Sequence, residues 1–114
     1  MSKKLTVKEI LDSRGQKKLT EIYTHTPLEA EACEKAGVDM IITSELNDYT
    51  RIRSAAPNTF FTVGLSYGAH LDEYSILKRC FYLMNKGADA IYCPQSARFI
   101  KAIADEGIPV IGHS

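Results

Sequence analysis

Three stretches of this chain repeat one hydrophobic pattern: a helix-period run of apolar positions, a glycine, then an aliphatic block without polar alternation. They are Ala36-Gly37-Val38-Asp39-Met40-Ile41-Ile42-Thr43, Lys86-Gly87-Ala88-Asp89-Ala90-Ile91-Tyr92-Cys93 and Glu106-Gly107-Ile108-Pro109-Val110-Ile111-Gly112-His113. A glycine at that point accepts the left-handed backbone that ends a helix. An aliphatic block that does not alternate suits a parallel strand covered on both faces. The pattern therefore predicts βα units, and it directs attention to the residues just after each block.

Further signals fill in the order of elements. Thr6-Val7-Lys8-Glu9 has the spacing of a capping box and opens a short helix to about Leu11, with Val7, Ile10 and Leu11 on one face. Ser13-Arg14-Gly15 breaks it, and residues 19–23 form a first strand interrupted by Glu21. Thr26-Pro27-Leu28-Glu29 starts a second helix, with a capping threonine, proline at the first helical position and a glutamate three residues after the cap. A strand over 40–43, a helix over 46–56 and a strand over 59–63 follow. Asp72 caps a helix with Ile76, Leu77, Cys80, Leu83 and Met84 inward; a strand spans 90–93. Ser96 caps a helix bearing Phe99, Ile100 and Ile103, and the last strand covers 110–111.

Strands alternating with helices over short connections imply a parallel sheet with right-handed crossovers. Residues 1–114 read as one domain of βα repeats, with no linker. Five strands make a little over half of a (βα)8 TIM-type barrel, which needs about 250 residues. An open doubly wound sheet is the alternative closure. A strand at the very end, with no helix after it, suggests an incomplete barrel or one completed by another copy, so a homo-oligomer is expected.

Composition narrows the class of function. With 14 basic and 14 acidic residues the formal charge is zero, which gives no footprint for nucleic acid. No apolar run approaches membrane-spanning length, and Met1-Ser2-Lys3-Lys4 leads into an amphipathic segment unlike a signal peptide. Cys33, Cys80 and Cys93 are odd in number and lack metal-ligand spacing, which fits a reduced, cytoplasmic protein.

In parallel α/β folds the loops after the strands build the site. All three histidines, His25, His70 and His113, fall on that edge. Histidine there can ligate a metal or exchange protons near neutral pH; polar residues also gather at strand ends without function. Glu45 is the carboxylate directly after a strand, a candidate cation ligand or base, or simply a charge near a helix start. Tyr92 and Cys93 alternate, so one faces the interior and the other the helices; Cys93, with no basic neighbour in sequence, reads as a packed thiol. Gly64-Leu65-Ser66-Tyr67-Gly68 could approach a ligand closely but lacks the spacing of a phosphate loop.

The opening helix, residues 31–42, Ala56-Pro57-Asn58, residues 84–91 and Gly107-Ile108-Pro109-Val110-Ile111-Gly112-His113 together resemble the N-terminal half of the ketopantoate hydroxymethyltransferase family, of the phosphoenolpyruvate/pyruvate barrel superfamily. The resemblance implies a magnesium enzyme of pantothenate synthesis. Such an enzyme transfers a hydroxymethyl group from methylene-tetrahydrofolate to the 2-oxo acid 3-methyl-2-oxobutanoate. It also implies substrate contacts at Glu45, Tyr92 and His113, with Glu45 near the Mg2+. The family's aspartate-serine pair falls on Glu45-Leu46, its metal aspartate on Gly64, its substrate lysine on Tyr92 and its metal glutamate on Pro94, while its histidine matches His113. A loop after the second strand is also shorter here. Two other readings stand beside it. One is a non-catalytic homologue that binds a small molecule or assembles through the same edge. The other is a lyase or hydrolase with a Zn2+ held by His25, His70, His113 and Glu45, whose donors suit zinc.

Overall fold

Both threonine capping boxes form as their spacing predicts. In the computed structural model, which describes residues 4–112, the Thr6 side chain accepts the Glu9 N–H while Glu9 reaches back to the Thr6 N–H, opening α1 (Val7–Asp12). Thr26 and Glu29 do the same for α2 (Pro27–Lys35). The remaining elements are β1 (Glu21–Tyr23), β2 (Met40–Ser44), α3 (Tyr49–Ala55), β3 (Phe60–Gly64), α4 (Glu73–Asn85), β4 (Ala90–Cys93), α5 (Ala97–Asp105) and β5 (Val110–Gly112). Met1, Ser2, Lys3, His113 and Ser114 lie outside the described residues. No helix among the described residues is long and apolar enough to cross a membrane.

Two elements differ from the sequence expectation. The first strand begins later than residue 19, because Thr20 donates its N–H and hydroxyl to the Asp39 carboxylate (2.9 and 3.1 Å). The helix expected from residue 46 begins at Tyr49, because Asp48 takes the capping position and Leu46-Asn47 turn back on Ser44. Ser96 holds the N-cap position of α5 as expected, yet its side chain makes no capping hydrogen bond.

All four strand pairings are parallel and the spatial order is β1-β2-β3-β4-β5. That order separates the two closures. A doubly wound sheet needs a point where the order reverses, and the described strands have none. Right-handed crossovers that always step the same way put every connecting helix on one face, as in a barrel.

Packing agrees. Ile41, Phe61, Val63, Ile91 and Cys93 point into the helix layer, buried against Ala30, Ile52, Ile76, Leu83 and Ile103. The intervening residues form the concave inner face, and α1 lies under its N-terminal end, where Val7, Ile10 and Leu11 meet Met40, Phe60 and Ile111 around an apolar cavity of about 280 Å³. The three thiols are buried, so Cys93 is a packed thiol as expected, and burial pushes Cys80 up to about 12.

Gly37, Gly87 and Gly107 close their helices with positive φ. Gly87, at φ +107°, is doubly constrained, since a Cβ there would lie 2.8 Å from Cγ of Arg53. We expect Gly87→Ala to lower stability by about 2 kcal/mol through backbone strain and displacement of Arg53, read as a lower urea midpoint at unchanged m.

Candidate functional site

Strand parity decides where each candidate side chain goes. On β2, Met40, Ile42 and Ser44 face inward, so Ile41, Thr43 and the following Glu45 face the helices. On β4 the same alternation turns Tyr92 inward and Cys93 into the helix layer. The C-terminal end of the inner face is a mouth of about 330 Å³ lined by Tyr23, Ile42, Ser44, Gly64, Leu65 and Tyr92 among others. A Cβ at Gly64 would already be in van der Waals contact with Cδ2 of Tyr92, at 3.4 Å, so a larger side chain there would extend into the mouth. One rung down β3, Thr62 is fully buried and its hydroxyl has no hydrogen-bond partner. At the β1 side, Asn47 donates to the Tyr23 hydroxyl (3.2 Å) and to Thr43 Oγ1 (2.9 Å), fixing that wall.

Glu45 lies on the other side of the sheet, its side chain only 5% exposed. Its Oε2 accepts the Ser66 backbone N–H (2.6 Å) and the His70 Nε2–H (3.0 Å), and its Oε1 accepts from Arg79 Nε (2.8 Å). Burial works to raise its pKa, but the Ser66 N–H, His70 and Arg79 together outweigh it and hold the carboxyl below its ordinary value. Arg79 answers in kind: burial opposes its charge, and Glu45 and Tyr49 together more than restore it. Its guanidinium lies over the rings of Tyr49 and Tyr82 at 5.7 and 5.1 Å.

The structure thus brings Glu45 and His70 together but sets them apart from Tyr92. His25 stands elsewhere, its ring tilted against that of Tyr23 with centroids 4.6 Å apart and its Nδ1 3.6 Å from Glu29. His113 lies outside the described residues. Among the described residues no group of three or more His, Cys, Asp or Glu side chains is placed to hold a metal ion. Magnesium asks for oxygen ligands in near-octahedral array, usually including a carboxylate. No carboxylate lines the mouth, and both oxygens of Glu45 already accept hydrogen bonds from protein groups. The described residues do not fit a magnesium site.

Sequence reasoning passed over Tyr23 and Arg79. Tyr23 had a signal, since it stands two residues from Glu21 on a short strand and so shares its face. Arg79 had a weaker one, a cation beside the apolar stripe of α4; its partner is 34 residues away and no local pattern names it.

No protein-family model matches the chain. Curated relatives do. It is 24% identical to the 3-methyl-2-oxobutanoate hydroxymethyltransferase of Kosmotoga olearia and 26% identical to that of Thermosipho africanus, each alignment covering 96% of this chain. The enzyme of the same name from Staphylothermus marinus is 25% identical over 97% of it. The chain spans about half the length of these relatives. The resemblance drawn from the motifs and these alignments agree on one family name, at low identity.

Proposed function

We propose that the chain forms the first strands of a hydroxymethyltransferase-type barrel and that a small 2-oxo acid of the 3-methyl-2-oxobutanoate kind lies in its mouth. The observation that carries this reading is the position of the mouth: an open cavity at the C-terminal strand ends of a sheet wound in one direction. Alignment along nearly the whole chain with relatives of that name supports it.

Such a reaction breaks the C3–H bond of the acid and forms a C3–C bond to the one-carbon unit of methylene-tetrahydrofolate. Both C–N bonds to that carbon break, water supplies the hydroxyl group, and tetrahydrofolate leaves with the C3 proton and one from water. The lining residues have separable parts in it. Ile42 and Leu65 suit the branched alkyl end, and the Ser44 and tyrosine hydroxyls can hydrogen-bond the oxo acid's oxygens. The missing side chain at Gly64 leaves the space the substrate occupies. The lining offers no carboxylate or imidazole to accept the C3 proton, so these residues bind and orient the acid, and on this reading the proton acceptor lies outside the lining.

The enclosure of Glu45 favours a second reading, a homologue that binds a small molecule or assembles without catalysis. Homo-oligomerisation belongs with it, because Tyr23 and Ile111 on the inner face stay 46% and 40% exposed.

One experiment separates the readings. The chain is incubated with 3-methyl-2-oxobutanoate in deuterated water, with and without magnesium, while C3 proton exchange, binding and sedimentation are followed. Exchange above the buffer rate, reduced about tenfold in Gly64→Val, is the expected result for the transferase reading. Saturable binding or a discrete oligomer without exchange assigns the second reading. A monomer that neither binds nor exchanges overturns both.

A further inference from the structure

A second cavity, of about 400 Å³, opens on the outer layer along α4, on the side of that helix facing Tyr49 of α3. It is bounded by His70, Tyr74, Ser75, Lys78, Arg79 and Tyr82, a lining that contains cations and no carboxylate. It lies on the opposite side of the sheet from the mouth, because Glu45, which anchors two of its walls, points away from the inner face.

Helical lysines elsewhere in the molecule are neutralised one turn away. Lys8 pairs with Asp12, Lys35 with Glu31 and Lys101 with Asp105, all at i,i±4. Lys78 is the exception among the described helices, with Tyr74 and Tyr82 at those two positions and no ion pair. The nearby acids are engaged: Asp72 accepts the Ser75 N–H at 2.7 Å, and Glu73 turns to Arg98 at 3.7 Å. Glu45 supplies one negative charge to Arg79 and His70 together, and both of its oxygens are taken up by Ser66, His70 and Arg79. The charge of Lys78 is therefore uncancelled at the rim of a concave surface whose other cation is held still by a carboxylate and two aromatic rings. A guanidinium fixed by its partners beside an exposed ammonium suits an anion with several acceptor oxygens spread in three dimensions, and the phenol walls suit a carbon skeleton attached to it.

We propose that this cavity is a binding site for a small phosphate-bearing molecule, held by Lys78 and Arg79 with His70 at one end. It is independent of the reading given to the mouth.

The probe is inorganic phosphate, titrated into the isotope-labelled full chain and followed by residue-resolved NMR, with acetate as the carboxylate comparison. Saturable shifts confined to His70 and the Tyr74–Tyr82 turns, with affinity about tenfold weaker in Lys78→Met and unchanged in Lys101→Met, are expected. Lys101→Met removes the same charge from a helix without touching the cavity. Equal weakening in both variants, shifts scattered over all basic residues, or acetate binding as tightly as phosphate would overturn the proposal. So would the absence of any saturable shift. Spectra of each variant without phosphate report that the fold is intact.

Discussion

Arg53→Ala lowers the unfolding free energy by about 4 kcal/mol. The Arg53 guanidinium donates to the carbonyls of Ala56, Pro57, Thr59 and Gly87 and to the Asp89 carboxylate at 3.0 Å. It thereby ties the end of α3, the start of β3 and the turn before β4 into one knot. Asp89 adds the Phe61 N–H and Lys4 to the same knot. With the side chains of Arg53 and Asp89 only 13% and 17% exposed, truncation removes the guanidinium from Asp89 and leaves several carbonyls without it in a poorly hydrated place. Urea unfolding should show the loss as a lower midpoint with unchanged m. A loss below about 1 kcal/mol, the range of a surface pair, would show that water replaces the guanidinium freely.

Glu45→Ala comes second, at about 3 kcal/mol, because it leaves the Ser66 N–H unsatisfied and Arg79 without its carboxylate. It carries a pH signature. The folded carboxyl is held below its ordinary value, so the unfolded chain binds the proton more readily. The stabilisation from Glu45 is therefore fully present above the ordinary glutamate pKa of about 4.3 and is lost as pH falls through the lower folded value. The gap between wild type and Glu45→Ala should be constant from neutral pH down to about 4.3 and then narrow until the folded carboxyl is itself protonated. A gap that stays constant through that range would mean that the charge of Glu45 does not stabilise the fold.

The fold was legible largely because its punctuation is local. Thr6 with Glu9, Thr26 with Glu29, and the glycines at 37, 87 and 107 each act within a few residues, and each sits in the structure where its spacing puts it. The direction of winding was not local. Both closures use the same βα units, and only the strand order tells them apart. The site was hard to read for a related reason. Residues 40–42 are all apolar, so β2 gives no sign of which face meets the helices, and the side taken by Glu45 follows from that choice. Tyr92 and Cys93 posed the same question, which the burial of Cys93 among the helices answers. The aliphatic blocks also led to strands covered on both faces, whereas Met40, Ile42 and Ile111 remain partly open on the concave side.

Winding in a single direction also governs how such a chain can come together. Each strand lies beside the one made just before it, so every βα unit can dock on a neighbour already in place as the chain leaves the ribosome. Two contacts break that rule. The apolar side of α1 meets β5, and Lys4 grips Asp89, 85 residues further along. Helix α1 therefore completes its contacts only once β5 is in place, and the plug under the sheet is held by its last wall as well as its first.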